Sequence, residues 1–438
     1  MPVTLQYTKS RRMVLSGFSC DCAYEHRPIT QDVYLGNGLL EHLDAILRRC
    51  DIGTKLVLVA DKNTYAAAGC AAEKVLSGAG FEVIPCLIDA PDGRICADES
   101  AIGEVLMTMK MDTEFFLSVG SGTVTDIARV VAAQTERPLA CLATAPSTDA
   151  YASLVADVMR RSVAHVKRAV APEVVVCDLE VLAGAPEALA RAGIAEMLSK
   201  FLPVADWQID RTVNGQPYCA NYAAVALQAA NKVLDNLPEV AARTPKGTKM
   251  LSEALILSGL IVTLSGGTRA AFSVEHNLAD FWAMEKLRLG EPVPAYGDLL
   301  AVAVATVWPF YARFGEDGLA VVPADPALTS EPARLARLTR GFGADAAARL
   351  HPENVLTDKQ LARRVAALGK HLADIRATLS ALPDGARVIS ALAQAGCPVE
   401  IAQIQVSEDM RARGLRYAFE LSGHYNLFRA LAEVGAPV

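Results

Sequence analysis

An apolar run, Phe115-Phe116-Leu117-Ser118-Val119, leads straight into Gly120-Ser121-Gly122-Thr123-Val124-Thr125-Asp126. Strand, glycines and helix in that order suit a pyrophosphate. Glycine lets the backbone approach the phosphates, and a helix N-terminus offers free N–H groups and a partial positive charge. The spacing is not Gly-x-Gly-x-x-Gly, because Thr125 stands where the third glycine would be. A tight strand-to-helix turn without a ligand would need the same glycine pair. A second polar loop, Thr144-Ala145-Pro146-Ser147-Thr148-Asp149, follows the next apolar run, Leu139 to Ala143. Ligands of open parallel sheets settle outside the carboxyl ends of strands, so two such loops make a crevice. Together they point to a dinucleotide site.

Positioning these loops takes a particular set of elements. Val33 to Leu35, Lys55 to Ala60, Phe81 to Leu87, Phe115 to Val119, Leu139 to Ala143 and Val174 to Cys177 read as strands. Several are continuous apolar runs, the mark of strands buried on both faces. Helical patterns lie between them: Leu39 to Arg49, an Ala-rich stretch from Asn63 to Leu76, Asp98 to Met109 and Thr125 to Ala133. Strands alternating with helices predict a Rossmann-like α/β domain with a parallel sheet, over residues 1–182. The first thirty residues lack periodicity and read as an irregular lead-in. From residue 183 to 438 long Ala- and Leu-rich segments with Pro and Gly punctuation predict an all-α domain. Its helices are expected at 185–203, 220–236, 249–264, 272–287, 298–315, 332–350, 358–381 and 412–434, with Gly290 to Gly297 a loop.

Bulk properties narrow the function. A net charge of −7 argues against a nucleic-acid surface. With 52% hydrophobic residues a membrane span has to be considered. The longest apolar stretches, 254–264 and 299–311, fall short of the roughly 20 residues a bilayer needs, so no span is expected. Lys9, Arg11 and Arg12 are not followed by an apolar segment, so no secretory leader is expected either. The ten cysteines are scattered, as in a protein of a reducing cytoplasm. Cys20-Asp21-Cys22 has the wrong spacing for a zinc knuckle.

Further motifs follow in order. They are Tyr151-Ala152-Ser153, Ala192-Gly193, Glu196-Met197-Leu198, Lys200, Ser258-Gly259-Leu260, Gly266-Gly267, Arg269, Ser273 and Glu275-His276. With the two loops, they resemble the sn-glycerol-1-phosphate dehydrogenases. Those belong to the superfamily of iron-type alcohol dehydrogenases and dehydroquinate synthases. The likeness covers roughly residues 35 to 310. It implies an N-terminal nucleotide-binding domain, a helical C-terminal domain and an active site in the cleft between them. It implies NAD or NADP, a divalent metal, usually zinc, and reduction of dihydroxyacetone phosphate, a step of phospholipid metabolism. By position, Gly120, Ser121, Gly122, Thr123, Val124, Thr125, Asp126, Thr144, Ser147 and Ser153 would serve the nucleotide, and Asp149 the substrate. Asp61 ends a strand where a carboxylate could accept from the adenosine ribose, favouring NAD, or could simply cap the next helix.

The metal half departs from the resemblance. Glu196 stands where close relatives have Asp, and His276 matches the first metal histidine. A second histidine is expected before a Gly-Glu pair in the following loop. The chain has Arg288-Leu289-Gly290-Glu291 there, and Leu289 cannot ligate. A substrate-contacting histidine is replaced by Asp280, which shares a helix face with His276 and could ligate instead. The alternatives are metal-free catalysis with His276 or Asp280 as proton donor, and loss of activity. Lys200 and Arg269 would hold a phosphate, or are a helix charge and a loop ion pair. His26, His42, His165, His351, His371 and His424 have no motif around them. The expectation is an NAD(P)-dependent reductase of a small phosphorylated ketone or aldehyde, acting as a homo-oligomer, dimer or larger. A phosphate-eliminating lyase or cyclase, and a non-catalytic nucleotide-binding relative, are the other readings.

Overall fold

The computed structural model describes residues 4–16, 22, 31–89, 95–161, 163–317, 328–352 and 354–436. Cys20, Asp21 and His26 lie outside them. The strands are β1 (Thr4–Tyr7), β2 (Met13–Ser16), β3 (Asp32–Gly36), β4 (Lys55–Asp61), β5 (Glu82–Ile88), β6 (Phe115–Gly120), β7 (Leu139–Ala143), β8 (Val155–Arg160), β9 (Val163–Arg168) and β10 (Val174–Asp178). Helices in the first half are α1 (Leu43–Arg49), α2 (Lys62–Thr64), α3 (Cys70–Gly78), α4 (Glu99–Thr108), α5 (Gly122–Thr135), α6 (Leu179–Ala183) and α7 (Glu187–Ser199). Then come α8 (Phe201–Asn214), α9 (Ala220–Asp235), α10 (Leu237–Ala241), α11 (Pro245–Ser265), α12 (Val274–Leu289) and α13 (Tyr296–Asp317). The last are α14 (Glu331–Phe342), α15 (Ala344–Leu350), α16 (Asp358–Lys370), α17 (Leu372–Ser380), α18 (Gly385–Gln394), α19 (Glu408–Tyr417) and α20 (Leu427–Glu433).

Six strands form one parallel sheet in the order β3-β10-β7-β6-β4-β5. All six expected strands are in it. Side chains alternate between its two faces. Leu56, Leu58, Ala60, Phe115, Leu117 and Val119 join one core. Val57, Val59, Phe116 and Leu139 join the other, against Val124, Ile127 and Val131 of α5. Phe115 and Phe116 are fully buried on opposite faces. Each contributes about 1.5–3 kcal/mol by leaving water, and this double burial is what makes the strands read as unbroken apolar runs. The chain leaves β4 for the edge strand β5 and returns to β6 on β4's other side. The order therefore reverses between β4 and β6, and a crevice opens at their carboxyl ends.

Two compact units account for the chain. One comprises Met1–Asp21, Glu25–Met197 and Ala224–Thr268, and the other Cys22–Tyr24, Leu198–Ala223 and Arg269–Val438. Helices take over after β10. The sheet unit nevertheless runs on to Met197 and regains α9, α10 and α11, because α11 is a core helix of the sheet. Its Ile256 and Leu260 pack with Val33, Cys141, Val175 and Cys177. By length and composition α11 could cross a membrane, but 78% of its most apolar stretch is buried in the protein.

Some expectations need correction. The lead-in holds an antiparallel hairpin, β1 with β2, and β8 with β9 forms a second. The segment 412–434 is broken into α19, a short 3-10 turn at Ala418–Leu421 and α20, and α18 was not expected at all. None of the described cysteines forms a disulfide.

Candidate active site

The turn after β6 is built for close approach. A Cβ on Gly120 would lie 2.5 Å from Val124 Cβ, and one on Gly122 would lie 3.2 Å from Thr148 Cγ2. Ser121 is the N-cap of α5, but its side chain caps no amide. The first amides of this 14-residue helix thus have no side-chain acceptor, which leaves them for an anion. The neighbouring loop is bonded to the turn, with Thr144 N donating to Gly120 O at 3.1 Å. Helices hold that loop from behind. Cβ atoms placed on Gly193 of α7 and Gly259 of α11 would fall within 3.0 Å of Pro146 O and Asp149 O, a separation real Cβ atoms essentially never show. Ser258 Oγ donates to Asp149 Oδ2 at 2.6 Å, and Tyr151 Oη donates to Ala145 O at 2.7 Å.

The expected nucleotide residues divide into two groups. Ser121, Gly122, Thr123 and Ser147 are half-buried at the crevice, beside the buried Thr144. Val124, Thr125, Asp126 and Ser153 face inward. Thr125 Oγ1 lies 3.8 Å from Cys141 Sγ inside the sheet, and Ser153 Oγ accepts from Val155 N at 3.1 Å. Asp126 accepts from the fully buried Arg129 at 2.5 Å. Burial pushes the Asp126 carboxyl upward, as do Asp157 and Asp149, while Arg129 opposes them. Arg129 also donates to the carbonyls of Val155 and Ala150. It ties α5 to the Asp149 loop, a role the sequence reading missed, although the i, i+3 spacing from Asp126 signals it.

Asp61 closes β4 as a helix cap. Its Oδ1 accepts from Asn63 N (2.6 Å) and Thr64 N (2.9 Å), while Thr64 Oγ1 accepts from Asp61 N. Of the two sequence readings, the cap is the one the side chain makes. The helix it starts passes through a π-type turn at Tyr65–Gly69.

Glu196 is a buried residue of the first unit; Lys200, Arg269, His276 and Asp280 belong to the second. Lys200 is fully buried between α7 and α8, and its Nζ donates to Ala271 O at 2.8 Å. That contact brings it to the segment carrying Arg269, whose guanidinium pairs with the buried Asp210. Asp280 lies one turn beyond His276 on α12, half-buried where His276 is buried. His276 Nδ1 is 2.7 Å from Glu275 Oε1, and its ring stacks on Phe272 with centroids 4.7 Å apart. Glu275 Oε1 also accepts from Ser273 N, whereas Oε2 is buried with no hydrogen-bond partner. Behind them, Asp206 accepts from Ser273 Oγ (2.5 Å), Tyr311 Oη (2.6 Å) and Leu427 N (2.9 Å). Burial still raises Asp206 to about 7.

Among the described residues no group of three or more His, Cys, Asp and Glu could hold a metal ion. Leu289 is misplaced by the sequence reading. It is not in a loop near His276 but ends α12, 48% exposed, with Gly290 as the left-handed C-cap. At 1.5 Å per residue, it stands about 20 Å along the helix from His276.

Comparison with known proteins fits this architecture. The iron-containing alcohol dehydrogenase family profile matches residues 34–186. Solved structures share the fold. An iron-containing alcohol dehydrogenase from Corynebacterium glutamicum covers 95% of this chain and 98% of its own at 14% identity, with a TM-score of 0.59. A glycerol dehydrogenase from Schizosaccharomyces pombe covers 93% and 99% at 15% identity and 0.55. The fold is therefore that of the iron-type alcohol dehydrogenases. Among sequences, the NAD(P)-dependent glycerol-1-phosphate dehydrogenase of Halalkalibacterium halodurans is 32% identical over 294 residues, 67% of this chain and 73% of that one. The Bacillus licheniformis protein of the same name is 26% identical over 422 residues, 95% and 92%. The chain belongs to the glycerol-1-phosphate dehydrogenase family.

Proposed function

We propose that the chain is an NAD(P)-dependent oxidoreductase that reduces a small phosphorylated ketone or aldehyde of the dihydroxyacetone phosphate type. The observation that carries this reading is the uncapped N-terminus of α5, set behind Gly120 and Gly122 beside the Thr144–Asp149 loop. The nicotinamide, when bound, supplies the hydride. The α5 amides hold the pyrophosphate, and Thr144 and Ser147 border it. Asp149, steadied by Ser258, faces the substrate hydroxyls. Lys200 and Arg269 supply positive charge for the substrate phosphate, although each also holds a protein acceptor. His276 or Asp280 carries the proton that the reduced oxygen requires. No step is routed through a metal. The protein acts in the cytoplasm as a homo-oligomer.

The test mixes the purified chain with NADH or NADPH and dihydroxyacetone phosphate, with and without added zinc. Loss of the reduced-nicotinamide absorbance is expected. No loss under any condition would refute the substrate assignment. Tight NADH binding without turnover would favour the second reading, a nucleotide-binding relative that has lost catalysis. Leu289, standing where a second metal histidine is expected, is the observation behind that alternative.

A further inference from the structure

A second cavity lies in the sheet unit, away from the dinucleotide turn. It is open to solvent, has a volume of about 330 Å³, and is lined by Tyr7, Arg11, Leu35, Asn37, Leu179 and Lys249 among others. That volume is at the lower end for a small-molecule pocket. Arg11 sits at the corner of the β1–β2 hairpin with φ of 63°, a left-handed conformation costly for a residue with a side chain. Its carbonyl accepts from Leu35 N, and its side chain lies across Gly36, where a Cβ would collide with it. The hairpin is thus fastened to edge strand β3 with the Arg11 side chain laid over the strand's end. Arg11 makes no ion pair to another described residue. Across the cavity, Lys249 Nζ lies 5.0 Å over the Tyr7 ring and only loosely, at 3.8 Å, from Glu253. Glu253 is already served at 2.7 Å by Lys232 and at 2.7 Å by the Tyr7 hydroxyl. Arg11 and Lys249 are the charged residues that line the cavity. Leu35, Leu179 and the Tyr7 ring give it an apolar wall.

We propose that this cavity binds a small phosphomonoester dianion, with the phosphate between Arg11 and Lys249 and its carbon skeleton on the apolar wall. The site is separate from the proposed substrate phosphate at Lys200 and Arg269, and it stands whether or not that assignment holds. A guanidinium and an ammonium match a dianion in charge and donors.

Hydrogen–deuterium exchange of the full chain tests it, with inorganic phosphate, glycerol 2-phosphate or chloride at equal ionic strength. Protection is expected in the segments 5–12, 34–37 and 246–252 with both phosphates. The ester should act at lower concentration, because the free ion cannot use the apolar wall; equal potency would reassign the site to inorganic phosphate and overturn the ester claim. Arg11→Ala and Lys249→Gln should each weaken the protection about tenfold, the loss of one charge-assisted hydrogen bond. Melting temperature and NADH binding should not change. No protection, equal protection by chloride, or protection unchanged in both variants would overturn the proposal.

Discussion

Gly193→Ala and Gly259→Ala test whether the Asp149 loop is held by backbone contact. Both glycines are inside helices, where alanine is intrinsically favoured by roughly 1 kcal/mol. Helix propensity alone therefore predicts that each substitution stabilises the chain. The structure predicts the reverse. Each new methyl would fall within 3.0 Å of a carbonyl oxygen, of Pro146 or of Asp149, which are backbone atoms that cannot swing aside. The loop would have to retreat by about an ångström, at the 1–3 kcal/mol typical of overpacking. Gly259→Ala should also stretch the 2.6 Å bond from Ser258 to Asp149, an interaction with a charged acceptor worth about 1.5–3 kcal/mol. Set against the helix-propensity gain, the net expectation is a loss of up to about 2 kcal/mol for Gly193→Ala and about 1.5–5 kcal/mol for Gly259→Ala. A loop displaced by 1 Å at a catalytic cleft can cost about 100-fold in turnover. Urea unfolding and NADH-linked kinetics read the two effects. Gly103→Ala in α4 is the control, since nothing lies within 4 Å of its Cβ position; it should stabilise by roughly 0.5–1 kcal/mol. If Gly193→Ala and Gly259→Ala stabilise as the control does, the account of the loop is wrong.

Three further outcomes follow. Asp61→Ala should cost about 1 kcal/mol in chemical denaturation through the lost cap, whereas Asp61→Ser should not. A rise in KM for NADH with Asp61→Ser, at unchanged stability, would show that the carboxylate also serves the ribose. His424 is pushed down to about 4, chiefly by burial and next by Arg269, so it is neutral in the folded chain well below its usual 6.5. The unfolded chain then takes up the extra proton as pH falls from 6.5 towards 4, and stability falls with it. His424→Gln should remove up to about 3 kcal/mol of that acid loss, and equal acid sensitivity in parent and variant would contradict it. Glu420 is buried against Arg334, 3.2 Å away, and Arg337, 2.6 Å away. Glu420→Gln leaves those charges uncompensated and should cost about 3–5 kcal/mol, seen as a large drop in melting temperature.

What the sequence revealed and what it hid separate along physical lines. The strands of the sheet are legible because both faces are dry, so Lys55 to Asp61 and Phe115 to Gly120 carry an apolar residue at almost every position. The hairpin of β8 and β9 has only a half-buried pattern with charges such as Arg160, Lys167 and Arg168 mixed in, and it passed unread. Glycines show a similar division. Gly120 and Gly122 announce themselves by following a strand, whereas Gly193 and Gly259 look like weak points in helices until Pro146 and Asp149 are placed against them. Charge partners were hidden wherever the chain separates them. Asp206 meets Ser273, Tyr311 and Leu427 from three distant segments, and no spacing rule links those positions. Leu289 shows the opposite hazard, a motif matched in sequence whose place in space is elsewhere. The Gly-Glu pair after it invited comparison with a metal-binding loop, yet α12 continues unbroken to that point and carries Leu289 away from His276. The apolar pattern carried that helix only to 287, two residues short of its end at Leu289.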